Sequence, residues 1–403
     1  MNPVRRALQL LRKQGPKALL GKGIVRAFPF VLARPVLVAY DDVLAVDWRS
    51  PHPWTTDPRP APQGRAVVAW VMSPPGGNSG GHQNIFRFIR VMEEAGHEVR
   101  VYLHSTVDPT TAAEARARIE SSSSYARVRA SIELYPAAGI PDDVDALFAT
   151  GWETAYRSYR DPSRARRFYF VQDFEPLFAP AGSEAALAEN TYRFGFIGIT
   201  AGGWLARKLH DEYGMRTSAF DFGAGTDYSI TEHGRRSAVF FYARPETPRR
   251  GYEIGEMALD LFARERPGSP IILAGQDLRG RDIPFPHENP GNLQVGQLNA
   301  LYNRCAAGLV LSFTNMSLLP LELLSAGVIP VVNDGPNNRL VSDNPFIDYT
   351  EPSPRALADR LISAVDRADQ EQYAARAAAS VAGSTWERAG GQFLEAFERG
   401  IRG

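Results

Sequence analysis

Short apolar runs alternate with amphipathic stretches along this chain, and they fall into two successive sets. The first set opens with the apolar run Arg65–Met72, passes through the glycine-rich loop Ser73–Gly81, shows helical spacing over His82–Ala95 and reaches a second run at Glu98–Leu103. That order of strand, loop, helix and strand is typical of a parallel α/β sheet. The same patterns predict further strands at residues 146–150, 167–172 and 194–200, and a helix at 204–213.

The second set repeats the alternation after a turn-rich break at residues 222–236. It predicts strands at 237–243, 270–274, 308–313 and 328–333, and helices at 254–264, 298–305 and 318–325. Alanine-rich helices follow across 354–381, with a last helix near 385–400. We therefore expect an α/β protein of two Rossmann-like domains that face a central cleft, where ligands bind.

These patterns divide the chain into four segments. We predict an N-terminal arm with a proline-rich linker at 1–64, a first domain at 65–230, a second domain at 231–385, and a C-terminal helix at 386–403 that crosses back to the first domain. The length of 403 residues supports two domains, because a single hydrophobic core rarely grows that large.

Composition narrows the class of protein. Hydrophobic residues make up 44% and charged residues 22% of the chain, as in a soluble globular protein. The single cysteine excludes a disulfide scaffold and a zinc site built on several cysteines. Lysine plus arginine and aspartate plus glutamate both number 45, and this balance argues against a general nucleic-acid binder.

The zero net charge conceals a basic arm. Residues 1–40 hold eight basic residues and no acidic one, so the remaining 363 carry 37 basic and 45 acidic residues. Three interpretations of this arm stay open: contact with an anionic membrane surface, a solvated helix, and docking on the acidic body of the same chain. We find neither a signal-peptide pattern nor an apolar run of spanning length, and expect a cytoplasmic protein with possible peripheral contact at the inner face of the membrane.

The most informative segment is residues 308–333, GLVLSFTNMSLLPLELLSAGVIPVVN. A strand leads through the polar loop Thr314–Ser317 into a helix whose first-turn amides are free donors for an anion. Taken alone, the segment also suits an ordinary strand–helix–strand unit, with Glu322 as a solvated helix acid.

The segment resembles the donor-binding region of family-four retaining glycosyltransferases of the GT-B fold, in which two glutamates are separated by seven residues. The residues that match the second half of this pattern are Glu322, Gly327, Pro330, Val331 and Val332. Position 314, where the family keeps its first glutamate, is threonine. The resemblance implies that Glu322 holds the ribose hydroxyls, that Thr314, Asn315 and Met316 face the donor sugar, and that Ser317 and Leu318 bind the diphosphate through their amides.

A second match lies in residues 241–251, FYARPETPRRG. The family places an arginine after a strand and a lysine five residues later, both on the donor diphosphate. Arg244 and Arg249 keep that spacing with arginine in the second place, so the resemblance gives both a diphosphate-binding role. A basic turn without a ligand is the alternative, since Arg250 adds a third charge.

Weaker signals complete the predicted donor site. The loop before the helix of Tyr302 matches a family loop that frames the base, which assigns base contacts to Val295 and Gly296. In the family, the glycine-rich loop of the first domain faces the donor, so the resemblance places Gly81 beside the diphosphate. His82 follows Gly81 in the sequence and either contacts the donor or acceptor or simply begins a helix.

Two acidic residues of the first domain are candidates for chemistry on the acceptor. Asp173 and Glu175, in the segment FYFVQDFEPLFAP at residues 168–180, either bind or deprotonate the acceptor or cap a turn. A narrower resemblance, to bacterial rhamnosyltransferases of surface-polysaccharide synthesis, is carried by this segment together with GGHQNIFR and SLLPLELLSAG.

The pair Asp143 and Asp145 has the spacing of the D-x-D motif of metal-dependent enzymes. It precedes a strand, however, so we predict no metal and no cofactor.

The resemblance, which covers residues 65–395, implies transfer of a sugar with retention of configuration. The donor expected is a nucleotide diphosphate sugar, dTDP-L-rhamnose in the narrower comparison, and the acceptor a hydroxyl of a cell-surface glycan or a lipid-linked glycan. The first domain is then expected to bind the acceptor, and the second domain the donor.

A nucleotide-sugar epimerase and a non-catalytic glycan-binding protein remain alternatives. A phosphorylase is nearly excluded, because residues 209–403 contain no lysine to hold pyridoxal phosphate.

Overall fold

The computed structural model describes residues 37–76, 79–316 and 318–403. The basic arm at residues 1–40, for which membrane contact was one interpretation, therefore lies outside the described residues except for 37–40, and Ser317 also lies outside them. Within those ranges no helix is both long and apolar enough to cross a membrane.

Seven parallel strands form the first sheet, in the order β3-β2-β1-β4-β5-β6-β7. Their bounds are β1 Val67–Met72, β2 Glu98–Leu103, β3 Ser131–Leu134, β4 Ala146–Ala149, β5 Arg166–Val171, β6 Ile197–Ala201 and β7 Arg216–Phe220. The helices of this half are α1 Tyr40–Leu44, α2 Pro53–Thr56, α3 Gly80–Glu94, α4 Ala112–Ser121, α5 Trp152–Arg160, α6 Ser183–Asn190 and α7 Gly203–Tyr213. We call the unit built on this sheet the first domain.

Six parallel strands form the second sheet, in the order β10-β9-β8-β11-β12-β13. Their bounds are β8 Ala238–Tyr242, β9 Ile271–Ala274, β10 Glu288–Gly291, β11 Cys305–Val310, β12 Ile329–Asn333 and β13 Asp348–Thr350. The helices are α8 Tyr252–Glu265, α9 Val295–Asn303, α10 Leu319–Ser325, α11 Pro336–Arg339, α12 Pro354–Asp366 and α13 Gln370–Ser380. This unit is the second domain.

The last helix, α14 (Trp386–Arg402), leaves the second domain and packs on β6, β7 and α3 of the first. Its Phe393 ring lies 4.7 Å from the ring of Phe88, and Phe397 lies 5.4 Å from Phe168. Gly400 allows this approach, because a Cβ there would lie 2.7 Å from the Phe168 ring. Burial of these aromatic rings ties the end of the chain to the first sheet.

The predicted elements differ from the structure in several places: α9 ends at Asn303 and β11 spans Cys305–Val310, earlier than the predicted 298–305 and 308–313, and the start of α3 also differs. We expected Gly80 and Gly81 in the loop, but they form the first turn of the helix. The Ser79 hydroxyl caps that helix by accepting a hydrogen bond from the amide of His82, at 3.4 Å. The glycine-rich loop is therefore shorter than predicted.

Candidate active site

The cleft between the domains is lined by loops that follow the carboxyl ends of strands in both sheets. Residues 172–175 follow β5, residues 243–250 follow β8, and residues 311–316 follow β11. In open parallel sheets this edge is where ligands bind. The predicted site residues Asp173, Arg249 and Thr314 meet here.

Arg244 and Arg249 lie close enough together in the second domain for their charges to interact, and we call this pair the cationic pocket. Arg249 belongs to the 3-10 turn Pro248–Arg250, which Gly251 ends in the left-handed conformation (φ +57°). A Cβ at that glycine would lie 2.7 Å from the Phe313 ring, so a larger residue would displace the turn. The turn is fixed to the loop after β11, because the Phe313 amide donates to the Arg249 carbonyl at 3.0 Å and Arg250 Nη1 donates to Ser312 Oγ at 2.9 Å.

Both arginines keep unused donors. In the part of the chain that the structure describes, Nε of Arg244 and Nε of Arg249 are buried and lack a hydrogen-bond partner. Arg244 Nη1 donates to the Tyr242 hydroxyl at 3.2 Å, and the Arg249 guanidinium lies 4.0 Å from the Phe178 ring. Burial lowers the pKa of Arg249, and Asp173 partly offsets that effect. Buried donors of this kind favour an anionic ligand.

The loop after β11 is held by asparagines that the sequence analysis did not identify. Asn333 exchanges two hydrogen bonds of 2.8 Å with the backbone of Ser312. Asn338 Nδ2 donates to the Ser312 carbonyl at 3.1 Å, and Asn337 Nδ2 donates to the carbonyls of Ser312 and Thr314. This support fixes the backbone ahead of α10. Met316 is buried beneath the loop, and Leu318 occupies the N-cap position of α10.

Asp173 of the first domain places its carboxylate on this loop. Thr314 Oγ1 donates to Oδ2 at 3.0 Å, and the Asn315 amide donates to Oδ1 at 2.7 Å. Oδ1 also accepts from the amide of Phe174 at 2.8 Å, and Arg249 Nε lies 3.7 Å from Oδ2. Asp173 therefore both caps its own turn and joins the two domains at the cationic pocket.

Asn315 strengthens the same contact between the domains. Its Nδ2 donates to the carbonyls of Gln172 at 3.0 Å and Ala201 at 2.9 Å, both in the first domain. Within the described residues its Oδ1 is buried and lacks a partner. A buried acceptor of this kind suits a hydroxyl donor from a sugar.

Glu175 is turned toward the interior of the first domain. Its carboxylate accepts from the amide of Trp152 at 2.6 Å and from the Tyr169 hydroxyl at 3.1 Å. Burial raises its pKa well above the usual range, and the nearby charge of Glu153 adds to the rise. These contacts favour a supporting role at the start of α5 over a role as a base on the acceptor. Trp152, whose amide donates to Glu175, has a buried side chain as well.

His82 is likewise engaged at the start of α3. Its Nε2 lies 3.0 Å from the Ser73 carbonyl and its Nδ1 lies 2.9 Å from Ser79 Oγ. Because a carbonyl only accepts, Nε2 carries the proton and Nδ1 accepts from the serine. Burial lowers the pKa of His82 and keeps the ring neutral. Gly81 lies beside it, and its carbonyl accepts from Gln172 Nε2 at 3.1 Å.

Glu322 lies on α10 below the hydroxyls of Tyr228 and Tyr302. Burial raises its pKa to about 7, while hydrogen bonds from Tyr228 and Tyr302 and the charge of Arg87 oppose the rise and Asp227 adds to it. Tyr228 and Tyr302 stack with ring centroids 5.7 Å apart. The predicted ribose-binding acid is therefore half-ionised near neutral pH, rather than a solvated helix residue.

This pKa predicts a pH-dependent affinity for the donor. Ribose hydroxyls donate to an ionised carboxylate, so we expect the KM for donor to fall by about tenfold between about pH 6 and pH 8, as the ionised fraction rises. The phosphates of a nucleotide sugar are diesters and lack the pKa near 6 of a monoester. Initial rates across this range measure the effect. Glu322→Gln should show a weaker and pH-independent KM, and an equal slope in both proteins would contradict the assignment.

The predicted base-binding residues lie at the far rim of the second domain. Val295 begins α9, and Gly296 faces open space. Ser123 of the first domain donates to Gln294 Oε1 at 3.1 Å across this rim. The structure thus places residues 295–296 beside a second contact between the domains.

Asp143 and Asp145 are committed to structural contacts. Asp143 binds Arg100 at 2.6 Å, and Asp145 binds Arg59 at 2.7 Å and accepts from the Val67 amide at 2.8 Å. Among the residues that the structure describes, no group of three or more histidine, cysteine, aspartate or glutamate side chains could hold a metal ion.

Two facing parallel sheets with a cleft at their carboxyl edges define the GT-B fold of glycosyltransferases. The structure of Anabaena Alr3699/HepE in complex with UDP-glucose is similar to 83% of this chain and 100% of its own, with a TM-score of 0.62 and 14% identity. WaaG, a glycosyltransferase involved in lipopolysaccharide biosynthesis, covers 82% of this chain and 98% of its own, with a TM-score of 0.57 and 12% identity. The expected fold class is confirmed.

Sequence comparison adds a more particular likeness. Residues 237–362, which include Arg244, Arg249 and Glu322, match the family described as WsaF, C-terminal domain. The O-antigen biosynthesis protein RfbC of Myxococcus xanthus is 34% identical over 344 residues, 81% of this chain. The match covers 26% of that protein, so this chain spans about a quarter of the length of that relative.

Proposed function

We propose that this protein is a glycosyltransferase of surface-polysaccharide synthesis, which moves a sugar from a nucleotide diphosphate to a hydroxyl of a glycan or lipid-linked glycan. The observation that carries the proposal is the cationic pocket of Arg244 and Arg249, whose Nε donors are buried and make no hydrogen bond with any described residue. Similarity to a structure that contains UDP-glucose and to a protein of O-antigen biosynthesis supports it.

Each part of the site has a task in this reaction. Arg244 and Arg249 neutralise the departing diphosphate without a metal, and Glu322 holds the ribose. Thr314, Asn315 and Met316 border the sugar, where the unpartnered Oδ1 of Asn315 accepts from a sugar hydroxyl. Contact of the two domains at Asp173 excludes water from the reacting carbon.

We propose that the reaction retains the configuration of the sugar. The bond from the anomeric carbon to the phosphate oxygen breaks, and the acceptor oxygen bonds to that carbon on the same face. The acceptor proton passes to an oxygen of the leaving phosphate. This route needs no dedicated base, which agrees with the engaged positions of His82 and Glu175.

The donor proposed is dTDP-L-rhamnose. We expect it to raise the melting temperature of the purified chain more than UDP-glucose or a GDP-sugar does, and to be consumed only when a glycan acceptor is present. Stronger binding of UDP- or GDP-sugars would overturn the rhamnose assignment alone. Release of an altered nucleotide sugar without acceptor would indicate an epimerase, and binding without turnover would indicate a glycan-binding protein.

The acceptor side suggests where the reaction takes place. We propose that the basic residues of the 1–40 arm hold the protein on anionic lipid at the inner face of the membrane, close to a lipid-linked acceptor. The support is the concentration of eight basic residues there without an acidic one.

A further inference from the structure

A third arginine, in the first domain, lies close enough to Glu322 for its charge to act on that carboxylate. Arg87 lies on α3, and its guanidinium carbon is 3.6 Å from the ring centroid of Trp386, at the start of α14. Its Nη1 donates to Asn84 Oδ1 at 2.6 Å, and Asn84 Nδ2 donates to Gln172 Oε1 at 3.1 Å. A stacked and hydrogen-bonded guanidinium has lost most of its freedom, so its remaining donors are held in place before a ligand arrives.

Arg87 is half-buried, and the carboxylate whose charge acts on it is that of Glu322. The described residues form no ion pair with it, yet its charge acts on Glu322 and Tyr228 across the cleft. Burial lowers its pKa to about 10, so it remains a cation at neutral pH. A half-buried cation without an ion pair is costly, and an incoming anion relieves that cost.

Arg90, on the same helix, has a different environment. It is exposed and forms an ion pair with Glu94 at 2.7 Å. Both residues are arginines on the same helix, so the difference between them comes from the face of the helix on which each lies. Arg90 therefore supplies a matched control.

We propose that Arg87 binds the diphosphate of a nucleoside diphosphate from the first domain, opposite Arg244 and Arg249. This inference rests on the proposed function and extends it. An anion held by arginines of both domains joins them, so donor binding draws the cleft closed. Trp386 begins α14, which packs on the first domain, so the stack that orients Arg87 lies within that domain and is formed before a ligand arrives.

Isothermal titration of the full chain with UDP and with dTDP tests the inference. We expect Arg87→Ala to weaken binding of the preferred nucleoside diphosphate by about tenfold or more, Arg87→Lys to recover part of the loss, and Arg90→Ala to match the unaltered chain. Binding of the nucleoside without phosphates should change little in every variant.

A pH series separates ligand binding from a structural role. Loss of a positive neighbour raises the pKa of Glu322, so the midpoint of nucleotide affinity should move to higher pH in Arg87→Ala and not in Arg90→Ala. Should the alanine variant fail to fold, Arg87→Gln, which also removes the charge, carries the same comparison. Unchanged affinity for the diphosphate, or equal weakening of nucleoside and diphosphate, would overturn the inference. An unaltered chain that binds neither UDP nor dTDP would contradict the proposed function itself and this inference with it.

Discussion

Arg249→Ala should lower the turnover number for sugar transfer by about 100-fold or more, with little effect on folding. Negative charge accumulates on the diphosphate as the bond to the sugar breaks, and Arg249 has a buried Nε that no described residue satisfies. Its Nε lies 3.7 Å from Asp173 Oδ2, beyond hydrogen-bonding distance, so this donor remains available to a phosphate. Initial rates with saturating donor, together with the melting temperature, measure the two effects.

Arg279→Ala is the matched control. Arg279 is also an arginine beside an aspartate in the second domain, but its side chain is 90% exposed and its partner Asp277 lies outside the cleft loops. This variant should keep full turnover. Arg249→Lys should retain part of the activity, because charge remains while the planar fork is lost. Turnover of Arg249→Ala within about threefold of the unaltered chain would remove Arg249 from the donor site.

The sequence predicted central strands better than edge strands. Central strands such as β4 and β11 are buried at every position and appear as continuous apolar runs. All four edge strands, β3, β7, β10 and β13, were missed; β3 is exposed at two of its four positions, and β10 has the sequence ENPG. An edge strand packs on few neighbours, so its apolar signal is weak.

A similar division applies to the site. Arg244, Arg249 and Glu322 were found because each lies within a local segment whose spacing is visible in the sequence. The contact of Asp173 with Thr314 spans 141 positions and exists only when two domains meet, so no local pattern reports it. Arg87 was missed for the same reason, since its stack joins α3 to the start of α14.

The contact of Asp173 with Thr314 also changes how the threonine at position 314 is interpreted. The resembled family keeps a glutamate at that position, and its absence suggested a binding protein without activity. In the structure a carboxylate nevertheless lies 3.0 Å from the Thr314 hydroxyl, supplied by Asp173 from the other domain. The acidic group is therefore present at this part of the cleft, although a different segment provides it.

This arrangement predicts that Asp173→Asn reduces the turnover number by about 100-fold, with a smaller change in the KM for donor. Asparagine preserves the size of the side chain but removes the charge that faces Arg249. One of the two carboxylate oxygens becomes an NH2 donor, so the side chain can no longer accept from both Thr314 Oγ1 and the Asn315 amide. The loop and the arginine then lose the group that holds them together in the closed cleft. Steady-state kinetics with varied donor separate turnover from KM.

Two further variants decide whether Asp173 acts through that contact. Asp277→Asn, at the exposed pair with Arg279, should leave the kinetics unchanged. Thr314→Ala should reduce turnover on its own, and the double variant with Asp173→Asn should lose less than the product of the two single losses, because both disturb one hydrogen bond. Losses that multiply independently would instead mean that Asp173 acts on the substrate without the loop. Full activity of Asp173→Asn would reduce the contact to a feature of domain packing, and closure would then depend on the remaining contacts of Asn315 with Gln172 and Ala201.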